Sequence, residues 1–193
     1  MGDDLLEVYI RDYIQAQPGS VVSFAWQGGE PTLAGLPFFR RAVALQKRYA
    51  DGKTVENAFQ TNGTLLNEDW CHFFREEQFL VGISIDGPVA MHDACRVDRG
   101  GRPTGEKVMR GIELCQRHGV EFNTLTVVSR VNAGYPLAVY RFLTNLGSRY
   151  LQFIPLVERP AEASAHARGC SLADPPDPAS PPEPGRGRAE VTP

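Results

Sequence analysis

Phe79-Leu80-Val81-Gly82-Ile83-Ser84-Ile85-Asp86-Gly87-Pro88 is the stretch whose reading decides the fold. A short apolar run with β-branched residues, ending in a Gly-Pro turn signal, reads as a buried strand. Its flanks are helical. Upstream, Asn67 can cap a helix bearing Trp70, Phe73 and Phe74; downstream, Thr104 can cap one that turns Val108, Ile112 and Cys115 inward and ends before Gly119. A strand between two amphipathic helices is a βα unit, and the same alternation continues in both directions.

Toward the N-terminus, Leu6, Tyr9, Ile10, Tyr13 and Ile14 share a helical face that Pro18-Gly19 stops before the strand Val21 to Trp26. Phe39, Val43, Gln46 and Tyr49 repeat at helical spacing, and a strand from Val55 to Gln60 then ends in Thr61-Asn62-Gly63. Toward the C-terminus the strand Phe122 to Val128 leads to a helix around Val139, Phe142, Leu143 and Leu146, closed by Gly147, and to a last strand Tyr150 to Val157. Five strands separated by helices require a parallel sheet with right-handed crossovers, either open and doubly wound or part of a barrel. Both put ligands at the carboxyl ends of the strands.

The pattern stops near Arg159. Residues 160–193 hold eight of the chain's fifteen prolines and no aromatic side chain. Such a segment buries too little apolar surface to offset its ordering entropy, so 1–159 is expected to be the folded core and 160–193 a disordered linker. The chain is 42% hydrophobic with a net charge of −3, which gives no general attraction to nucleic acid or to anionic lipid. No stretch approaches the roughly 20 apolar residues that span a bilayer. With the acidic opening Met1-Gly2-Asp3-Asp4, a cytoplasmic location is expected. Cys71, Cys95, Cys115 and Cys170 are too scattered for a zinc or iron–sulfur run, and Cys71 and Cys115 read as ordinary buried thiols.

Among the strand ends, Trp26-Gln27-Gly28-Gly29-Glu30-Pro31-Thr32-Leu33 carries the most chemistry. Paired glycines let the backbone approach a ligand and present carbonyl groups to a cationic amine, and Glu30 adds a carboxylate at the same edge. A plain βα turn accounts for the same glycines when they are taken alone. Ser84 alternates with apolar neighbours, so its hydroxyl can line the interior of the sheet. Arg96, after His92-Asp93, can offer a forked donor to a carboxylate, although an isolated loop arginine is more often merely solvated. Together these groups describe a site for an amino-acid zwitterion.

Gly28-Gly29-Glu30, Gln60-Thr61-Asn62-Gly63 and Ser84-Ile85-Asp86-Gly87-Pro88 with His92-Asp93 and Arg96 resemble the radical S-adenosylmethionine enzymes. The wording Trp26 to Leu33, with Phe153-Ile154-Pro155-Leu156-Val157-Glu158, most resembles the anaerobic sulfatase-maturating enzymes among them. The resemblance implies a partial βα barrel with five parallel strands present and the first missing. It implies S-adenosyl-L-methionine bound by Gly28, Gly29, Glu30, Ser84 and Arg96, with backbone near Val157 on the adenosine side and Gln27 toward the substrate. The implied chemistry is reductive cleavage of that cofactor beside a 4Fe–4S cluster. The resulting radical takes hydrogen from a Cys or Ser of a sulfatase polypeptide, which becomes Cα-formylglycine. A flavodoxin or ferredoxin is the implied electron donor.

The family's C-x3-C-x2-C cluster motif does not occur in the sequence. The expectation is therefore an internal piece of such an enzyme, inactive alone, without metal ligands and without catalytic groups of its own. Another peptide-modifying radical enzyme and a non-catalytic remnant are the other two readings.

Overall fold

A computed structural model describes residues 2–157. The linker expected at 160–193, with Cys170 in it, and Glu158 at the end of the last motif lie outside the described residues. The helices are α1 (Asp3–Ala16), α2 (Leu36–Tyr49), α3 (Glu68–Glu76), α4 (Val89–Asp93), α5 (Gly105–Arg117) and α6 (Pro136–Asn145). The strands are β1 (Val21–Trp26), β2 (Thr54–Thr61), β3 (Leu80–Ser84), β4 (Phe122–Val128) and β5 (Leu151–Pro155). All neighbouring pairs are parallel and the order is β1-β2-β3-β4-β5.

That order separates the two architectures the sequence leaves open. A doubly wound sheet reverses direction part-way and receives helices on both faces. Here each strand follows its predecessor on the same side, so right-handed crossovers put the helices on one face, as in a barrel. Burial agrees with one-sided cover. Val22, Phe24, Phe59, Val81, Ile83, Thr124 and Thr126 are buried toward the helices, whereas the alternating Ser23, Ala25, Glu56, Ala58, Gly82, Ser84, Asn123 and Leu125 remain open or half-open.

The helix side holds the apolar core. Phe59 at the centre of β2 contacts the rings of Phe39, Trp70, Phe74 and Phe79 at centroid distances of 4.9 to 6.4 Å, mostly edge-on or tilted, the arrangement ring quadrupoles favour. Leu6, Ile10 and Ile14 of α1 pack with Val22, Phe24, Ala42 and Leu45 in a second cluster. Between the clusters, Asn57 Oδ1 accepts from Trp26 Nε1 at 2.8 Å and from Gln46 Nε2 at 2.9 Å, while its amide donates to Gln46 Oε1 at 2.9 Å. Gln46 thus belongs to the inward face for a polar reason: it satisfies an asparagine that the sheet has already buried.

Asn67 caps α3 as expected, its Oδ1 accepting from Trp70 N at 3.0 Å. Gly119 and Gly147 take positive φ just past α5 and α6. The expected cap of α5 is corrected. Thr104 has no side-chain bond to that helix; Asp93 Oδ1 accepts from Thr104 N at 3.1 Å and Gly105 N at 2.7 Å instead. A carboxylate at a helix N-terminus supplies both an acceptor and a favourable charge, and it leaves the Thr104 hydroxyl free.

Helix α5 also sets the turn after β2. A Cβ built on Gly111 would lie 2.5 Å from the carbonyl oxygen of Gly63, a backbone atom that cannot swing aside. The G111A substitution is expected to push α5 from the sheet and to lower stability by about 1–3 kcal/mol, the usual range for overpacking. Chemical denaturation of the two proteins side by side measures it, and an unchanged midpoint would remove this contact from the account.

Candidate functional site

The strand ends are joined by a sequence of side-chain bonds, each crossing from one strand to the next. At the end of β1 the chain turns through Gly28 (φ 101°) and Gly29 (φ 57°), values that other residues rarely adopt. A Cβ at either glycine would meet nothing within 4 Å, so this backbone faces open space. Glu30 follows. One of its oxygens accepts from Thr32 N at 3.1 Å, Thr32 Oγ1 at 2.7 Å and Thr61 Oγ1 at 2.7 Å; the other accepts from Asn62 N at 2.7 Å. Three donors crowd one oxygen and a single one reaches the other, which keeps an acceptor position open. Glu30 therefore ties the β1 turn to the end of β2.

Between β2 and β3 the link is Gln60. It is in register with Gly82, and its amide lies where a Cβ on that glycine would stand. Across this gap Gln60 Nε2 donates to Ser84 Oγ at 3.3 Å. Ser84 is half-buried on the sheet face away from the helices, which is the facing expected of it.

Asp86 makes the connection from β3 onward. It is 5% exposed. Its Oδ2 accepts from Arg96 Nε at 2.5 Å, and its Oδ1 accepts from Arg96 Nη2 at 3.1 Å and from Val127 N at 2.8 Å. Arg96 thus engages a protein carboxylate with one edge of its guanidinium and keeps three of its five N–H donors. The backbone of Asp86 is fixed as well: its carbonyl accepts from Asn132 Nδ2 at 2.9 Å and its N–H donates to His92 Nδ1 at 3.4 Å. Gln27 and Val157 are exposed beyond β1 and β5, the two outermost strands, so nothing in the sheet brings them together.

His92 is buried to 1% exposure. Because Nδ1 accepts from Asp86, Nε2 carries the proton and donates to Thr104 Oγ1 at 3.1 Å. Burial pushes this imidazole below the ordinary histidine range, and the adjacent Arg96 guanidinium acts in the same direction against the pull of Asp86 and Asp93.

Two contributors escape the sequence reading. Asp86 stands beside Ser84 at the strand end with no role legible in its residue type, and Asn132 belongs to none of the motifs. Asn132 is 3% exposed and bonds Ser129 N, Asp86 O and Val127 O at 2.8 to 2.9 Å. The available signal was position, since Asn132 follows the end of β4 as the other candidates follow theirs.

The family model of the Radical SAM superfamily matches residues 3–143. The chain belongs to that superfamily. Within it, the chain is 50% identical over 159 residues to a serine-type anaerobic sulfatase-maturating enzyme of Bacteroides thetaiotaomicron, covering 82% of this chain and 38% of the relative. It is 42% identical over 157 residues to a cysteine-type anaerobic sulfatase-maturating enzyme of Clostridium novyi, covering 80% and 41%. The solved structure titled native anSMEcpe with bound AdoMet superposes with a TM-score of 0.79 at 33% identity, covering 90% of this chain and 54% of that one. The chain thus spans about two fifths of the curated relatives. The partial barrel expected from the motifs is the fold of this part of the superfamily.

A three-thiolate cluster set does not fit the cysteines described: Cys71 and Cys115 are buried on α3 and α5, and Cys95 is exposed. Among the described residues no three His, Cys, Asp or Glu side chains gather as metal ligands, and no helix is long and apolar enough to cross a membrane.

The low pKa of His92 carries a sign. Above pH 6.5 the ring is neutral folded and unfolded; below it the unfolded chain takes up a proton that the folded one resists. Stability should therefore fall as pH drops from 6.5, by at most about 1.4 kcal/mol per pH unit for one proton. Urea midpoints between pH 7.5 and 5 check this, with H92N expected to be less stable at pH 7.5 and flatter below 6.5.

Proposed function

We propose that this chain is the cofactor-binding part of a radical S-adenosylmethionine enzyme that oxidises a side chain of a sulfatase polypeptide to Cα-formylglycine. The observation that carries the cofactor half is the continuous row of strand ends. At one side the exposed backbone of Gly28 and Gly29 suits an ammonium group; farther along, the Ser84 hydroxyl and the remaining donors of Arg96 suit a carboxylate. These are the two ends of a methionine moiety. In this reading Glu30 holds the glycine turn with one oxygen and offers the less occupied one to the ammonium group. Gln27 faces the substrate, and backbone near Val157 approaches the adenosine. Bound beside an iron–sulfur cluster, the cofactor supplies a carbon radical able to remove a hydrogen atom. No cysteine described here serves that cluster, so its ligands belong elsewhere.

The substrate half rests on the relatives. Identity is higher to the serine-type enzyme than to the cysteine-type one, 50% against 42%, which favours a serine target. Such a reaction withdraws two hydrogens from Cβ–OH and needs a one-electron donor of the flavodoxin or ferredoxin class to start each cleavage. The cytoplasm is the matching compartment.

The test supplies the intact protein, reduced and free of oxygen, with sulfatase peptides carrying Ser or Cys at the target position. Loss of about 2 Da from the serine peptide, or about 18 Da from the cysteine peptide, is expected in step with cofactor cleavage. Cleavage with no change of peptide mass would reject the sulfatase assignment and favour a different peptide-modifying enzyme.

A further inference from the structure

Asp86, His92, Thr104 and Arg96 form a closed ring of hydrogen bonds. The Asp86 N–H donates to His92 Nδ1 at 3.4 Å, His92 Nε2–H donates to Thr104 Oγ1 at 3.1 Å, and Thr104 Oγ1–H donates to the Arg96 carbonyl at 2.9 Å. The Arg96 guanidinium returns to the Asp86 carboxylate. Every hydroxyl and ring proton in the circuit has one direction it can point, so the tautomer of His92 and the rotor of Thr104 are both determined.

The ring clamps Arg96 on three sides. Its N–H donates to the His92 carbonyl at 2.9 Å, its carbonyl accepts from Thr104, and its side chain lies against Asp86. Thr104 is itself seated by Asp93 at the start of α5, and the close packing there requires glycine next to it. A Cβ on Gly105 would lie 2.8 Å from Asp93 Oδ1 and 2.9 Å from Val89 Cγ1. The loop between Arg96 and Thr104 is pinned by Asp98, whose carboxyl is held down to about 2 chiefly by the backbone N–H of Arg102. A long, flexible side chain such as arginine loses rotamer freedom when it binds; one already held loses less.

We infer that His92 and Thr104 are positioning residues that hold the free edge of Arg96 ready for the carboxylate of the methionine moiety. This rests on the proposed reading of Arg96 as a carboxylate ligand. The discriminating probe is decarboxylated S-adenosylmethionine, which lacks only the group that Arg96 would bind.

Equilibrium dialysis on the intact protein compares both ligands in the wild type and in R96A, T104V and T104S. R96A is expected to erase the preference for the carboxylated ligand. T104V keeps the shape of the side chain and removes the hydroxyl. It should weaken S-adenosylmethionine by up to about tenfold, because an arginine released from the ring has to be ordered again on binding, and leave the decarboxylated ligand unchanged. T104S should restore wild-type binding. Should T104V not fold, H92N replaces it, since asparagine can still accept from Asp86 but cannot reach Thr104; should R96A not fold, R96K replaces it, since lysine keeps the charge beside Asp86 and removes the second edge of the guanidinium. If R96A leaves the preference intact, the carboxylate reading fails and this inference with it. If R96A erases the preference while T104V affects both ligands equally, or neither, the ring is structural only and the positioning role is overturned.

Discussion

The far side of the site depends on one buried carboxylate. Asp86 leaves the end of β3 at a point where burial would be costly for an unpartnered charge, and it is satisfied by a guanidinium from the following loop and a backbone N–H from β4. Breaking such a pair by removing one member typically costs about 3–5 kcal/mol, so Asp86 and Arg96 are structurally inseparable. That bond decides where the loop after α4 can lie, and with it the start of α5. The fold therefore positions Arg96 by electrostatics, whereas it positions the glycine turn by backbone stereochemistry.

Much of the architecture was legible because burial on one side writes itself into the sequence. Phe59, Val81 and Ile83 alternate with residues that do not need cover, and the helices between strands show their apolar stripes at 3.6-residue spacing. What the pattern left open was the choice between a doubly wound sheet and a barrel. That choice is made by strand order, a property of pairings between distant segments, and no local period encodes it. The cap of α5 was misread for a similar reason. Thr104 stands at the right place for a local cap, yet its hydroxyl is taken by Arg96 and His92, and Asp93, eleven residues earlier, accepts from the first N–H groups of the helix with a full charge.

The candidate residues fared unevenly by the same logic. Ser84 could be placed from alternation alone. Glu30 and Arg96 could be named from residue type, but their partners could not, because Thr61, Asn62 and Asp86 come from other strand ends. A charged side chain in a sequence advertises its chemistry; only the fold reveals how much of that chemistry the protein has already used. Glu30 has filled one oxygen and part of the other, and Arg96 has committed two of its five donors.

Because the helix side of the sheet carries the apolar core, the opposite face is relieved of that duty. Ser23, Glu56, Gln60, Ser84, Asn123 and Gln152 stand there, side chains that no dry core would tolerate in a row. The stability of the scaffold and the polarity of its open face are therefore set by different residues of the same strands. One side of each strand holds the sheet together, and the other carries its polar chemistry.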